Sequence, residues 1–241
     1  MANINVDIKP RGIASAYVEV PFDEGKEALE KQGYRIISLQ ENAKLRMQEG
    51  KDAYVSRNGN WTREGVLYIP KKGIFLTKKS PIMENAKEAT DCHRDNKEFY
   101  LNKEQVEKAL ADSVKLLGNT IPTSRFGENK IANYAFGDSA KDYGLFLKEA
   151  GIEEMPVYLC NLEDKPFARQ TWLRRLDSGS RSGVIGDDRN LDYYCRARGV
   201  RENAEGVAKN CEAYTINDIQ KTLKAKGLSG IEKIILEGLK Q

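Results

Sequence analysis

The sequence predicts an α+β protein, and three observations carry that prediction. A β-meander with two tight turns occupies residues 53–77, short helical stretches alternate with extended patches around it, and an amphipathic helical hairpin follows residue 214. The patches Ala16–Val20 and Tyr34–Ile37 are rich in strand-forming residues, whereas Lys26–Leu29 and Ala43–Met47 read as short helices. In the meander, Ala53-Tyr54-Val55 leads to Asn58-Gly59, a pair with ready access to positive φ. Trp61 and Val66–Ile69 form the next strand, Lys72-Gly73 the next turn, and Ile74–Thr77 the third strand. Lys78-Lys79-Ser80-Pro81 ends the run, because Pro81 cannot donate to a central ladder.

A helix is expected to start at Asn102, whose side chain and that of Gln105 form a capping box, and to run through Val106, Leu110, Val114 and Leu117 to Gly118. Asp138–Gly151 repeats the pattern with Leu145, Phe146 and Ala150, and Met155–Leu159 reads as a strand. Near the C-terminus, Thr215 with Asp218 caps a helix carrying Ile219 and Leu223 as far as Gly227, and a second carries Ile231, Ile234, Ile235 and Leu239. The expected organisation is a sheet unit at 1–81, a helix–strand unit at 82–210 and a helical hairpin at 211–241, the last open to being continuous with the rest.

Composition sets the class of partner. Hydrophobic residues are 40% and charged residues 31% of the 241, enough apolar material for a core. The 39 Lys and Arg against 36 Asp and Glu leave a net charge of +3, which excludes a polyanion binder acting through bulk charge. No run of about 18 apolar residues is present, so no membrane span is expected. Cys92, Cys160, Cys195 and Cys211 are too scattered for a disulfide framework, which together with the lack of a leader sequence points to the cytoplasm.

Eight arginines and no lysine lie between Pro166 and Ala208, namely Arg169, Arg174, Arg175, Arg181, Arg189, Arg196, Arg198 and Arg201. Elsewhere lysine predominates. A guanidinium offers a planar fork for phosphate or carboxylate and stacks on rings, which an ammonium does not. Over 166–201 the acids are Asp177, Asp187, Asp188 and Asp192, so the region is 8 − 4 = +4 and holds the chain's whole positive excess. Phe167, Trp172, Tyr193 and Tyr194 are interleaved with these arginines, the pairing of anion forks and stacking faces that single-stranded or looped nucleic acid requires.

Read as a strand, Leu191–Arg198 turns Leu191, Tyr193, Cys195 and Ala197 to one side and Asp192, Tyr194, Arg196 and Arg198 to the other. Read at about 100° per residue, Arg169–Leu176 places Arg169 with Trp172, Leu173 and Leu176, a structural position, and turns Arg174 away. Ser178, Gly179, Ser180, Ser182 and Gly183 form a loop in which backbone N–H groups and hydroxyls could approach a phosphate.

The expected function is non-catalytic nucleic-acid binding. Arg174, Arg175, Arg181, Arg189, Arg196, Arg198 and Arg201 would contact phosphates, with Trp172 or Tyr194 stacking on bases. Two other readings stand beside it: an assembly protein whose arginines form intersubunit Arg–Asp networks in a homo-oligomer, and a Mg²⁺-dependent phosphoryl-transfer enzyme or nuclease using Asp187 and Asp188. No cofactor is expected, because no Gly-Lys-Ser/Thr follows the glycines and no dinucleotide fingerprint is present. Gly179-Ser180-Arg181-Ser182-Gly183 has the glycine spacing of a nucleophile elbow but Arg at the serine position. No metal site is expected either: His93 is the sole histidine, and with Cys160, Cys195 and Cys211 it lacks Cys-x-x-Cys spacing.

Thr215–Leu228 looks like the first helix and turn of a SAP module, a helix-extension-helix family that binds DNA, and the resemblance implies phosphate contacts from Lys221, Lys224 and Lys226. It departs after Leu228, where the connection is shorter and Gly238 stands where a basic residue precedes the last leucine. A packing hairpin or partner-docking tail is the reading of this segment.

Overall fold

In the computed structural model, which describes residues 5–7, 15–117, 120–176, 182–187, 190–193 and 195–201, the chain opens with two antiparallel strands, β1 (Asn5–Asp7) and β2 (Ser15–Val20). Helix α1 (Phe22–Glu30) follows Pro21, then β3 (Tyr34–Ile36). Helix α2 (Leu39–Glu49) starts at a capping box, in which Glu41 N–H donates to Ser38 Oγ and Ser38 N–H to the Glu41 carboxylate. A helical turn α3 (Tyr54–Arg57) precedes the long strand β4 (Asn60–Ile69), which hairpins into β5 (Gly73–Thr77). The turn places Lys71 at φ 64° and Gly73 at φ 112°.

Next come α4 (Pro81–Glu84), α5 (Ala86–Arg94), β6 (Phe99–Tyr100), α6 (Lys103–Leu110), β7 (Ser113–Lys115) and β8 (Thr120–Pro122). Helices α7 (Lys130–Phe136) and α8 (Ala140–Glu149) lead to β9 (Glu154–Tyr158), β10 (Phe167–Leu173), β11 (Val184–Ile185) and β12 (Cys195–Arg201). The pairing order is β1-β2-β12-β4-β10-β11-β9-β8, with β3 also on β12, β5 on β4, β7 on β5 and β6 on β10. This is a mixed α and β fold around one large sheet.

β4 and β10 lie at its centre, buried on both faces. Val66 and Tyr68 join Leu39, Phe136 and Tyr143 in one apolar cluster, while Trp61 and Leu67 join Phe22, Leu29 and Ala89 in another. Such strands lose the polar–apolar alternation of a half-exposed strand. The expected boundary after residue 81 therefore runs through the sheet, since β4 pairs with β10 and β12. The described residues all belong to one compact unit, Met1–Glu202. The expected C-terminal hairpin lies outside them.

Several local expectations are corrected. The first strand of the meander is the helical turn α3, so β4 and β5 alone make the hairpin. The Asn102 helix has its capping box but stops at Leu110: Ser113 Oγ donates to Leu110 O, Thr77 Oγ1 to Ala109 O and Asp112 O, and Val114 pairs with Leu76 across β7 and β5. Phe167–Leu173 is a strand, not a helix.

α8 shows why one glycine is needed. A Cβ at Gly144 would overlap the Thr123 carbonyl oxygen and stand 2.8 Å from Phe126 Cβ. In an open helix Gly→Ala stabilises by about 1 kcal/mol. Here Gly144→Ala has the opposite sign and costs about 1–3 kcal/mol from overpacking, read as a lowered urea midpoint at unchanged slope; a raised midpoint would show that α8 has room to shift.

Candidate functional site

The arginine-rich segment divides by where its backbone lies. On β10 and β12 the guanidiniums are used by the fold. Arg169 is 8% exposed at the side chain and its partner Glu98 4%; Nε and Nη2 of Arg169 donate to the two carboxylate oxygens at 3.1 and 2.5 Å, and Nη1 donates to Asp187 O. On β12, Arg196 stands opposite Glu19 and Arg198 opposite Tyr17 of β2. Arg196 is ion-paired to Glu19 at 2.6 Å and donates to Tyr54 Oη at 3.0 Å. Arg198 is 1% exposed, donates to Ser15 Oγ, and lies 5.4 Å from the Tyr17 ring centre and 5.9 Å from that of Tyr54. Tyr17 and Tyr54 themselves stack at 4.7 Å. Arg196–Glu19 and Arg198–Tyr17 are cross-strand pairs of the sort that stabilise a sheet, and Tyr54 packs on them from α3.

Two expectations change accordingly. Arg196 and Arg198 do share a face, as strand alternation requires, but Arg198 is sealed beneath the tyrosines and is not available to a phosphate. Trp172 is half-buried, edge-on to Trp61 at 5.1 Å and pressed against Gly59, where a Cβ would fall 2.6 Å from its ring carbon Cε2; both packing partners hold it as a core residue. Arg201 is exposed, with its guanidinium 4.8 Å above the Tyr34 ring.

Between β10 and β12 the chain returns to the sheet only in the short β11, and the described residues on either side of β11 are held largely through main-chain atoms. Arg46, buried in α2, donates from Nη2 to Arg174 O at 2.7 Å, from Nη1 to Tyr143 Oη and from Nε to Val55 O. Leu176 N–H donates to Ser56 O, Arg174 N–H to Gly183 O, and Ser182 Oγ to Arg175 O. Further on, Gly186 N–H donates to Tyr158 O, Tyr68 Oη to Gly186 O at 2.8 Å, and Phe22 N–H to Leu191 O. Burial pushes the Tyr68 phenol far above its ordinary range, so it remains a neutral donor.

The phosphate-loop expectation is corrected for Ser182 and Gly183. Ser182 is 3% exposed, and a Cβ on Gly183 would strike the Pro156 carbonyl oxygen. Gly183 lets the chain entering β11 approach β9, and Ser182 ties the same segment to the Arg175 carbonyl. Ser178, Gly179, Ser180, Arg181, Asp188, Arg189 and Tyr194 lie outside the described residues. Arg174 is half-exposed, 5.7 Å from the Tyr158 ring, Arg175 is exposed, and Tyr193, expected to point inward with Leu191, is 68% exposed. Asp187 is exposed, with its carbonyl rather than its carboxylate engaged by Arg169. Among the described residues no three His, Cys, Asp or Glu side chains converge to hold a metal ion, and no helix is long and apolar enough to cross a membrane.

Sequence reasoning missed Arg46, Glu98 and the Tyr17–Tyr54 stack. Arg46 sits among the apolar positions of α2 beside Leu45, the one sequence signal that it turns inward. Glu98 is 71 residues from its partner and carries no such signal.

No protein-family model matches the sequence, and no curated protein matches it. One solved structure, described as accommodating massive sequence variation in Nanoarchaeota by the C-type lectin fold, superimposes with a TM-score of 0.60 at 14% identity, over 81% of this chain and 99% of that one. At that identity the similarity is one of fold, and the fold here is that of a C-type lectin domain.

Proposed function

We propose that this chain is a non-catalytic recognition module whose binding surface is the stretch 174–194 between β10 and β12. Main-chain anchoring is the observation that carries the reading. Because Arg46, Arg169, Tyr68 and Ser56 hold that stretch by its carbonyl and amide groups, its outward side chains, such as Arg175 and Tyr193, can change without disturbing these anchors, whereas Ser182 and Gly183 are fixed by packing. The nanoarchaeal protein of the same fold is described as accommodating massive sequence variation. Anchoring through the backbone is a physical means by which this chain would do likewise.

The side chains carried there name the ligand class: Arg174, Arg175, Arg181 and Arg189 for phosphates, Tyr193 and Tyr194 for stacking, and single-stranded or looped nucleic acid as the ligand. Arg196 and Arg198 are left out of that surface, since they serve the sheet, as does Arg169, whose position the sequence already reads as structural. Their described contacts are to residues of the same chain.

The test is fluorescence anisotropy of the nuclease-treated protein with short single-stranded DNA and RNA across a salt series. Arg174→Ala/Arg175→Ala should weaken binding and reduce the slope of log affinity against log salt by about one for each phosphate that is no longer neutralised. Tyr193→Ala should weaken it at every salt with the slope unchanged. Absence of binding at low salt, or a slope unaltered by the arginine pair, would overturn the nucleic-acid reading.

A further inference from the structure

On another part of the molecule, α5, β6 and the connection before β10 enclose a groove of about 460 Å³, within the range of small-ligand sites. Its walls are Glu88 and Cys92 of α5, Phe99 and Tyr100 of β6, and Glu163. Tyr100 is 47% exposed, so its ring presents open π surface. Its hydroxyl donates to Glu163 Oε2 at 2.7 Å, which fixes the ring and sets a carboxylate at its edge.

The groove's charge is unbalanced. Of the charged groups that line it, Glu98 is matched by the buried Arg169, and Lys97 by Asp95 at 2.9 Å. Glu88 and Glu163 have no ion pair to any described residue, and both face the groove. The effect registers on neighbouring groups: burial and then Glu88 push the Cys92 thiol up, and the hydrogen bond to Glu163 pushes the Tyr100 phenol up. A cation already uses this ring, for the Lys165 ammonium lies 5.6 Å from the Tyr100 centroid. An aromatic face flanked by carboxylates attracts ammonium groups through the ring quadrupole and through charge.

We propose that this groove binds an alkylammonium group, as carried by a lysine side chain or a free diamine, seated on the Tyr100 ring between Glu163 and Glu88. Lys165 then acts as an internal competitor that occupies the ring until the ligand displaces it. This does not depend on the 174–194 surface.

The experiment is an NMR titration of the full chain with Nα-acetyl-lysine amide and with cadaverine, using the Nε-acetylated lysine compound as a neutral control. Saturable shifts at Cys92, Lys97, Phe99 and Tyr100 are expected from both amines and not from the control. Lys165→Ala should tighten binding about two- to five-fold by freeing the ring, and Tyr100→Leu should weaken it by a similar factor. Glu163→Gln should weaken it most at low salt. Tyr100 and Lys165 are exposed, so their variants keep the fold, and unchanged spectra away from the groove check this. Tighter binding of the lysine amide would assign a protein lysine as ligand, and tighter binding of cadaverine a free amine. Equal shifts from the neutral control, or an affinity unmoved by Lys165→Ala, would overturn the proposal.

Discussion

Arg169→Met loses about 3–5 kcal/mol of folding stability, because it leaves the Glu98 carboxylate buried without its cation. Glu98 is 4% exposed and both its oxygens accept from Arg169, so no solvent replaces the guanidinium. The double variant Arg169→Met/Glu98→Met recovers most of the loss, since apolar groups of similar length can fill the space that the pair occupied. It does not restore the bond to Asp187 O, through which the same guanidinium holds the surface stretch just after β11. Urea melts of both variants, with amide exchange at Gly186 and Asp187, separate the two roles: the double variant should be near wild type in stability yet exchange faster there. A double variant as unstable as Arg169→Met would show that the ion pair itself, rather than the orphaned charge, sets the cost.

That two-sided role of Arg169 explains how much of the molecule the sequence discloses. Local signals hold in two places and fail in one: the Asn102 and Gln105 side chains form their capping box and the turn at Lys72-Gly73 closes a hairpin, whereas Asn58-Gly59 follows the helical turn α3. Periodicity misleads where a strand is covered on both faces or where a distant partner ends a helix. The helical projection of Arg169–Leu176 falls on a strand, Phe167–Leu173, that is covered on both faces, and Val114 keeps helical spacing with Leu110 although β5 draws it into the sheet. The concentration of arginine is visible in composition, but composition cannot say which guanidiniums meet an acid. Arg169 finds Glu98 and Arg196 finds Glu19 only because β6 pairs with β10 and β2 with β12. The arginines are therefore split by topology: Arg169, Arg196 and Arg198 lie on strands and serve the sheet, while Arg174 and Arg175 follow β10 on backbone that Arg46 and Ser56 hold.

Glu64→Gln raises stability above neutral pH and leaves it unchanged in acid. Glu64 is 1% exposed on β4; its Oε2 accepts from Leu39 N–H at 3.0 Å, at the start of α2, and the Arg63 Nε is 3.9 Å from Oε1. Burial pushes its carboxyl to about 7, against the opposing pull of the Leu39 amide and Arg63. With the folded pKa above the unfolded one, the native state holds the extra proton between about 4.5 and 7, so stability falls as pH rises through that window and then levels off. A shift of that size is worth about 3 kcal/mol. Glutamine still offers an oxygen to Leu39 N–H and carries no charge to bury, so the variant should lack this fall. The Ser38–Glu41 capping box keeps the α2 terminus satisfied in both proteins, which confines the difference to ionisation. Urea melts of the two proteins from pH 4.5 to pH 8 measure it directly. Parallel stability profiles would mean that the Glu64 carboxyl titrates in the folded protein as it does in the unfolded chain.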